Sequence, residues 1–351
     1  MADLPRAERA PGLRDDIVAR PALGLVHEQD AVRCLVHRHQ LSGAGLRPRW
    51  QDGGVEDSTG LQHALIDWFA ANARELPWRG APGEIDAWAV LVSEFMLQQT
   101  QVERVLPRFE EWIERWPRPS ALAAEAPGEA VRAWGRLGYP RRALWLHRAA
   151  GQIARDHGDR VPRDIDALLA LTGVGPYTAR AVASFAYGER HPVVDTNTRR
   201  VIARLVHGRA AAGPPRAGDL DDMAALLPDR PGEAAAFNAA AMELGAVVCT
   251  ARTPDCGGCA VAAWCEWRGA GYPDNAPARR PTQAAFNGSD RQVRGRIMAL
   301  LRRADAPVPR SAALTAGTDG GVRDADQPLR ALDSLLADGL VVEHDGRYRL
   351  P

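Results

Sequence analysis

Leu171-Thr-Gly-Val-Gly-Pro-Tyr-Thr-Ala179 joins two apolar stretches through a tight turn holding two glycines and a proline. Gly173 and Gly175 permit positive φ and a close approach of backbone to ligand, while Pro176 suits the first position of a following helix. Exposed amides at such an N-terminus favour a phosphate. The same residues also fit an ordinary turn between helices with a glycine cap, so both readings stay open on this stretch alone. On either side, apolar residues recur at helical spacing. They do so at 61–69, 87–105 (strongly apolar, ending at Pro107), 109–116, 119–124 and 127–137, and again at 141–157, 165–171, 176–187, 196–207, 219–227 and 233–244. Almost nothing alternates with period two before the C-terminus. The middle of the chain is therefore expected to be all-α.

At the end of this helical region Cys249, Cys256, Cys259 and Cys265 follow the spacing C-x6-C-x2-C-x5-C. One C-x2-C pair flanked by single thiolates differs from zinc knuckles, which come as two pairs a dozen or more residues apart. Soft thiolates suit both metals, and the spacing favours a 4Fe–4S cluster, with zinc as the alternative. Disulfides are disfavoured because nothing marks the chain as secreted. It shows neither a signal-peptide pattern nor an 18-residue apolar run, so a cytoplasmic protein without a membrane partner is expected. Cys34 stands apart from the run.

The 351 residues are long enough for two or three domains, and 46% hydrophobic with 25% charged is a globular composition. Net charge is zero, so any basic patch must be local. All 44 basic residues are arginine. Phosphate contacts must then come from guanidinium groups and amides, and no lysine can form a Schiff base. Residues 1–60 lack an apolar period and are expected to be a loosely ordered extension. Residues 276–288, rich in Pro, Ala and Arg nearby, suggest a linker. The stretch 289–351 holds helices expected at 290–303, 309–316 and 327–336. It closes with a β-hairpin turning at Asp345-Gly346, a pattern that points to a winged helix. Arg291, Arg294 and Arg296 on its first helix are candidate phosphate contacts, as are Arg141, Arg142 and Arg148 in the central region.

Two carboxylates invite a chemical reading. Glu94 has Val90, Leu91, Leu97 and Gln98 as its helical neighbours, so it is expected to be poorly solvated and to hold its proton, although a solvated or salt-bridged glutamate fits equally well locally. Asp195 follows the apolar run Pro192-Val-Val and precedes a helix, the position of an ordinary N-cap. A helix N-terminus also stabilises negative charge.

Taken together, Leu76-Pro-Trp-Arg79, Val92-Ser-Glu-Phe-Met-Leu-Gln-Gln-Thr-Gln-Val102, Leu137-Gly-Tyr139, the hairpin, Val193-Val-Asp-Thr-Asn-Thr-Arg-Arg200 and Glu243-Leu-Gly-Ala-Val-Val-Cys249 resemble the endonuclease III superfamily of DNA repair glycosylases. The details are similar to its MutY-type branch of A/G-specific adenine DNA glycosylases. The resemblance spans roughly residues 61–272. It implies a mainly α, two-lobed helix-hairpin-helix fold with a 4Fe–4S loop, to which the winged-helix-like unit is appended. A cluster-containing lobe is expected at 61–117 and 196–275, and a helical barrel at 118–195. It further implies a monofunctional enzyme, acting as a monomer in the bacterial cytoplasm at the nucleoid. Its partner would be duplex DNA carrying adenine opposite 8-oxoguanine or guanine. Glu94 would protonate the departing adenine, Asp195 would stabilise the sugar cation, Asn197 would orient the carboxylate or water, and Tyr177 would face the active site where a lyase carries lysine. Trp78 and Arg79 would line the base pocket. Leu97, Gln99 and Tyr139 would contact the base stack, Gly173 and Gly175 the backbone, and the four cysteines of the run would hold the cluster. Pro140 and Ala239 depart from the family pattern at the pocket, and residues after the cluster are too few for the Nudix-like domain many relatives carry. The same resemblance leaves a thymine or uracil mismatch glycosylase as an alternative. The C-terminal unit leaves a non-catalytic iron–sulfur DNA-binding regulator as another.

Overall fold

The computed structural model describes residues 55–80, 84–274 and 286–351. The expected extension up to residue 54, Cys34 within it, and residues 275–285 of the expected linker lie outside the described residues. Up to the cysteine loop the described chain is helical, as its periodicity requires. The helices are α1 (Val55–Asn72), α2 (Ala87–Leu97), α3 (Val102–Arg115), α4 (Pro119–Ala123), α5 (Pro127–Trp134), α6 (Arg141–Asp156), α7 (Ile165–Leu169), α8 (Pro176–Tyr187), α9 (Thr196–Leu205), α10 (Gly218–Leu226) and α11 (Pro231–Val247). Helix α1 starts at Val55 rather than near Leu61, so the helical chain reaches into the expected extension.

The expected helix at 87–105 is two helices. The chain breaks at residues 98–101, where Gln99 takes φ +56, and Pro107 sits inside α3 instead of ending a helix. Proline removes one amide from the helical ladder. Here the apolar face of Val105, Phe109 and Trp112, all buried, holds α3 in place despite that loss.

Two apolar cores result among the described residues. The larger gathers Trp88, Phe95, Trp112, Trp134, Leu146 and Val182 from α2, α3, α5, α6 and α8. Fully burying a side chain such as Phe95 or Leu146 stabilises by about 1.5–3 kcal/mol. The smaller core joins Leu61 and Leu65 of α1 to Ile202, Met223, Phe237 and Leu244 of α9, α10 and α11, with Cys249, Cys259 and Cys265 packed against it. The expected grouping of 61–117 with the cysteine lobe therefore shifts: only α1 joins that core. The reason is α2, whose residues from Val90 to Met96 are buried on every side, so it must lie inside the larger core.

The C-terminal unit runs α13 (Asp290–Arg303), β1 (Val308–Pro309), α14 (Arg310–Thr318), α15 (Gln327–Ala337), β2 (Val342–His344) and β3 (Arg347–Arg349); the short α12 (Glu266–Gly269) precedes it at the end of the cysteine loop. Its antiparallel sheet has the order β1-β3-β2, which makes a winged helix with one strand more than the expected hairpin. Asp345 and Gly346 both take positive φ, +50 and +70, the two-residue turn that matches the twist of a hairpin. The unit shares the larger core through Ile297, Leu332 and Leu350. It is also latched by polar contacts: Gly128 N–H donates to Pro351 O at 2.6 Å, and the Arg132 guanidinium donates to the carbonyls of Arg302 and Ala304. Asp338 accepts from both Arg141 (3.2 Å) and Arg294 (2.5 Å).

Candidate active site

Asp86 caps α2 by accepting from Trp88 N–H at 3.0 Å, and the helix then carries Glu94 into the larger core, where it is 7% exposed. Burial pushes its carboxyl up to about 8, and the charge of Asp195 adds to the rise. A hydrogen bond from Tyr177 opposes it. The Tyr177 hydroxyl is in turn raised well above its ordinary value by burial and by the charges of Glu94 and Asp195. These couplings place the three groups in one site. A glutamic acid in this setting still carries its proton at neutral pH.

Asp195 is held from both oxygens. Oδ1 accepts from Thr198 N–H at 2.7 Å as the cap of α9, and Oδ2 accepts from Asn197 Nδ2 at 2.9 Å. The Arg200 guanidinium donates to Asn197 Oδ1 at 2.9 Å and to the carbonyl of Cys249 at 2.7 Å. A polar chain thus runs from Asp195 to the first cysteine of the loop. Asn238, fully buried on α11, sets the incoming segment: it accepts from Val193 N–H at 3.0 Å and donates to His191 O at 2.9 Å and Ser184 Oγ at 3.1 Å. Sequence reading passed over Asn238. An asparagine inside an apolar helix was the available signal, because a buried amide requires partners.

The hairpin lies between α7 and α8. Gly173 has φ +81, and a Cβ there would come within 2.7 Å of Trp145 and 3.0 Å of Phe95, so both conformation and packing exclude a side chain. Gly175, expected to need positive φ as well, has φ −96 and caps α8 without a side-chain bond. A Cβ at Gly175 would meet nothing within 4 Å, so this glycine leaves the helix N-terminus open.

Gln99 and Tyr139 are both exposed and both left-handed, at φ +56 and +45. Tyr139 is 54% exposed, which rules out the packing of its ring inside the core. Leu97 is half-buried at the end of α2. The sequence offers Arg142 as a candidate phosphate contact. Instead it is buried, and its guanidinium donates to the carbonyls of Phe95 (2.7 Å), Gln98 (2.6 Å) and Gly138 (3.2 Å) and to Thr100 Oγ1 (3.0 Å). The orphan carbonyls at the end of α2 explain its position. Arg141 likewise pairs with Asp338. Trp78 is 8% exposed and meets Phe109 edge-on at 4.9 Å. Arg79 donates to Glu243 at 2.7 Å, a carboxylate that Arg74 also grips at 2.7 Å. Burial alone would raise Glu243, but the two guanidinium groups outweigh it and hold the carboxyl at about 2.

Cys249, Cys256, Cys259 and Cys265 are all free thiols and half-buried. Burial pushes Cys259 up to about 11, and the neighbouring three thiols add to it, so the four converge on one region. Among the described residues no group of His, Cys, Asp or Glu is drawn close enough for a single ion. Arg204, 4% exposed, donates to Cys249 Sγ at 3.3 Å and to Thr250 O at 2.7 Å, setting positive charge beside the thiols. By donor chemistry, four soft thiols on one loop with a guanidinium beside Cys249 suit an anionic iron–sulfur cluster. Among the described residues no helix is long and apolar enough to cross a membrane.

Residues 92–214 match the family model described as HhH-GPD superfamily base excision DNA repair protein. The adenine DNA glycosylase of Mycobacterium tuberculosis is 54% identical over 301 residues, covering 84% of this chain and 95% of that protein. That of Mycolicibacterium smegmatis is 54% identical over 287 residues, covering 82% and 94%. The human adenine DNA glycosylase is 40% identical over 226 residues, covering 61% of this chain and 40% of its own length. A thermostable thymine-DNA glycosylase superposes with a TM-score of 0.54 at 25% identity, covering 61% of this chain and 97% of that one. An endonuclease III in a non-covalent DNA complex reaches 0.51 at 20% identity, covering 62% and 99%, a likeness of fold alone. Motifs, fold and relatives agree, and the chain belongs to the adenine DNA glycosylases within the HhH-GPD superfamily of base excision DNA repair proteins.

Proposed function

We propose that this chain removes adenine from duplex DNA where it faces 8-oxoguanine or guanine, by hydrolysing the N-glycosidic bond without cutting the strand. The observation that carries this reading is the buried Glu94, raised to about 8 beside Asp195 and Tyr177. Glu94 gives its proton to the departing adenine, and the C1′–N9 bond breaks with its electron pair leaving on the base. Asp195 faces the sugar cation that forms. Water then adds its hydroxyl to C1′ and releases a proton. Asn197 fixes the Asp195 carboxylate through its 2.9 Å bond, and Tyr177 fixes Glu94. Charge developing on the sugar is stabilised most by a carboxylate that needs no reorientation.

Reaching adenine requires flipping it from the stack, which leaves a gap to be filled. Gln99 and Tyr139 are the candidates to fill it, with Leu97 behind them, since both are exposed on turns held from within. Trp78 and Arg79 would wall the base pocket, and the open amides at Gly175 beside Gly173 would hold a backbone phosphate. Cys249, Cys256, Cys259 and Cys265 would hold a 4Fe–4S cluster, which when bound supplies a fixed centre for the 249–265 loop. Single-turnover assays on duplexes with A opposite 8-oxoG, A opposite G and T opposite G test the proposal. Thymine release would favour the substrate of the superposed thymine-DNA glycosylase instead.

A further inference from the structure

A cleft of about 400 Å³ lies where the winged-helix unit meets the larger core. It is lined by Arg104 and Arg108 of α3, by Gly135, Arg136 and Leu137 after α5, and by Ala299, Arg302 and Arg303 of α13. Five of these are arginines and none is acidic. Burial, together with the charge of Arg136, pulls Arg302 down to about 10, so like charges are crowded here. Crowding of this kind is relieved by an anion. Several of the arginines are fixed in place. Arg104 donates to Arg136 O, Arg302 Nε donates to Val131 O at 3.3 Å, and Arg108 pairs with Glu111 on its own helix.

The position of the cleft names its occupant. Leu137 lines it, accepts from Thr100 Oγ1 at 3.4 Å, and lies two residues before Tyr139. Arg136 belongs to the same turn. Two of the three arginines on α13 that the sequence singled out are occupied elsewhere: Arg294 with Asp338 and Ser334, Arg296 with the carbonyls of Gly317 and Gly321. The far end of that helix lines the cleft with Arg302 and Arg303. We propose that this cleft binds backbone phosphates of the duplex next to the base step that Tyr139 enters, so that α13 and the barrel complete the DNA surface jointly. This rests on the DNA reading above.

The test is the salt dependence of binding to a duplex carrying non-cleavable 2′-fluoro-2′-deoxyadenosine opposite 8-oxoguanine. Each arginine–phosphate contact contributes about 0.9 to the slope of log Kd against log salt. Removing two side chains by Arg136→Ala with Arg303→Ala should make the slope shallower by about two. Ala299→Glu, which leaves every arginine in place, should also weaken binding and flatten the slope. An unchanged slope in both variants, with unchanged thermal midpoints, overturns the proposal. So does the case in which sodium tripolyphosphate stabilises the parent but not the double variant while the duplex slope stays constant, because the cleft then takes a free polyphosphate. Wild-type excision of adenine is measured separately. Its failure would strike the activity and leave the salt slope to judge the cleft.

Discussion

The Arg142 guanidinium donates to the carbonyl oxygen of Gln98 at 2.6 Å and, through its other nitrogen, to that of Gly138 at 3.2 Å. One buried cation thus holds the residue before each exposed left-handed position, Gln99 and Tyr139. Left-handed backbone at a non-glycine residue costs about 1–2 kcal/mol, so each turn needs an external hold.

Arg142→Met is therefore expected to destabilise the fold by at least about 3 kcal/mol, because several buried carbonyls lose their donor at once. It should also weaken mismatch binding. Arg142→Lys should rescue neither, since a compact ammonium cannot span both turns. Urea unfolding and duplex titration check both; recovery of wild-type binding by the lysine variant would contradict the role.

Glu94 sets a pH dependence. Its folded pKa of about 8 lies above the ordinary 4.5, so the stability tied to this proton is complete below about 4.5 and is lost as pH rises through about 8. The single-turnover rate should fall over the same upper range as the acid deprotonates. Glu94→Gln should abolish excision, keep mismatch binding, and show a thermal midpoint that gains on wild type between about pH 4.5 and pH 8. Equal pH dependence of the two midpoints would contradict the buried acid.

Glu243 is the opposite case. Its carboxyl is held at about 2 by Arg74 and Arg79, with its side chain fully buried. Its contribution is present above about 4.5 and is lost as pH falls toward 2. Glu243→Gln should cost about 3 kcal/mol, because the network loses the buried carboxylate that both guanidinium groups grip. Equilibrium unfolding at pH 7 reads this directly.

With no lysine in the chain, borohydride should trap no lysine adduct with the abasic product, and strand cleavage should need alkali or heat. Peptide mapping of any trapped product would identify the nucleophile, and an adduct on a side chain would contradict this expectation. The purified protein should be brown, and Cys256→Ser should lose that colour together with soluble yield. A colourless active protein with stoichiometric zinc would reverse the metal assignment.

Local signals carried much of this structure. Pro176 at the start and Gly188, at φ +69, after the end set the bounds of α8, and Asp345-Gly346 set the hairpin. Three of the four helical neighbours of Glu94 are apolar, which permits burial but leaves a solvated glutamate equally open; the resemblance decides between them. What escaped was imposed from far along the chain. The break after α2 depends on Arg142, 44 residues beyond Gln98, and the fixing of Val193 depends on Asn238, 45 residues on. Strand β1 is two residues long and exists only because β3 pairs with it. Which arginines on α13 face an anion could not be read from helical spacing, since it depends on the contact with α5.

The most direct test of the central claim is single-turnover release of free base from duplexes carrying A opposite 8-oxoguanine, A opposite guanine and T opposite guanine, run with wild type and with Asp195→Asn. Adenine should leave both A-containing duplexes and thymine should not leave the third, with release by Asp195→Asn mostly lost. Thymine release, or full adenine release by the Asp195→Asn variant, would contradict the account.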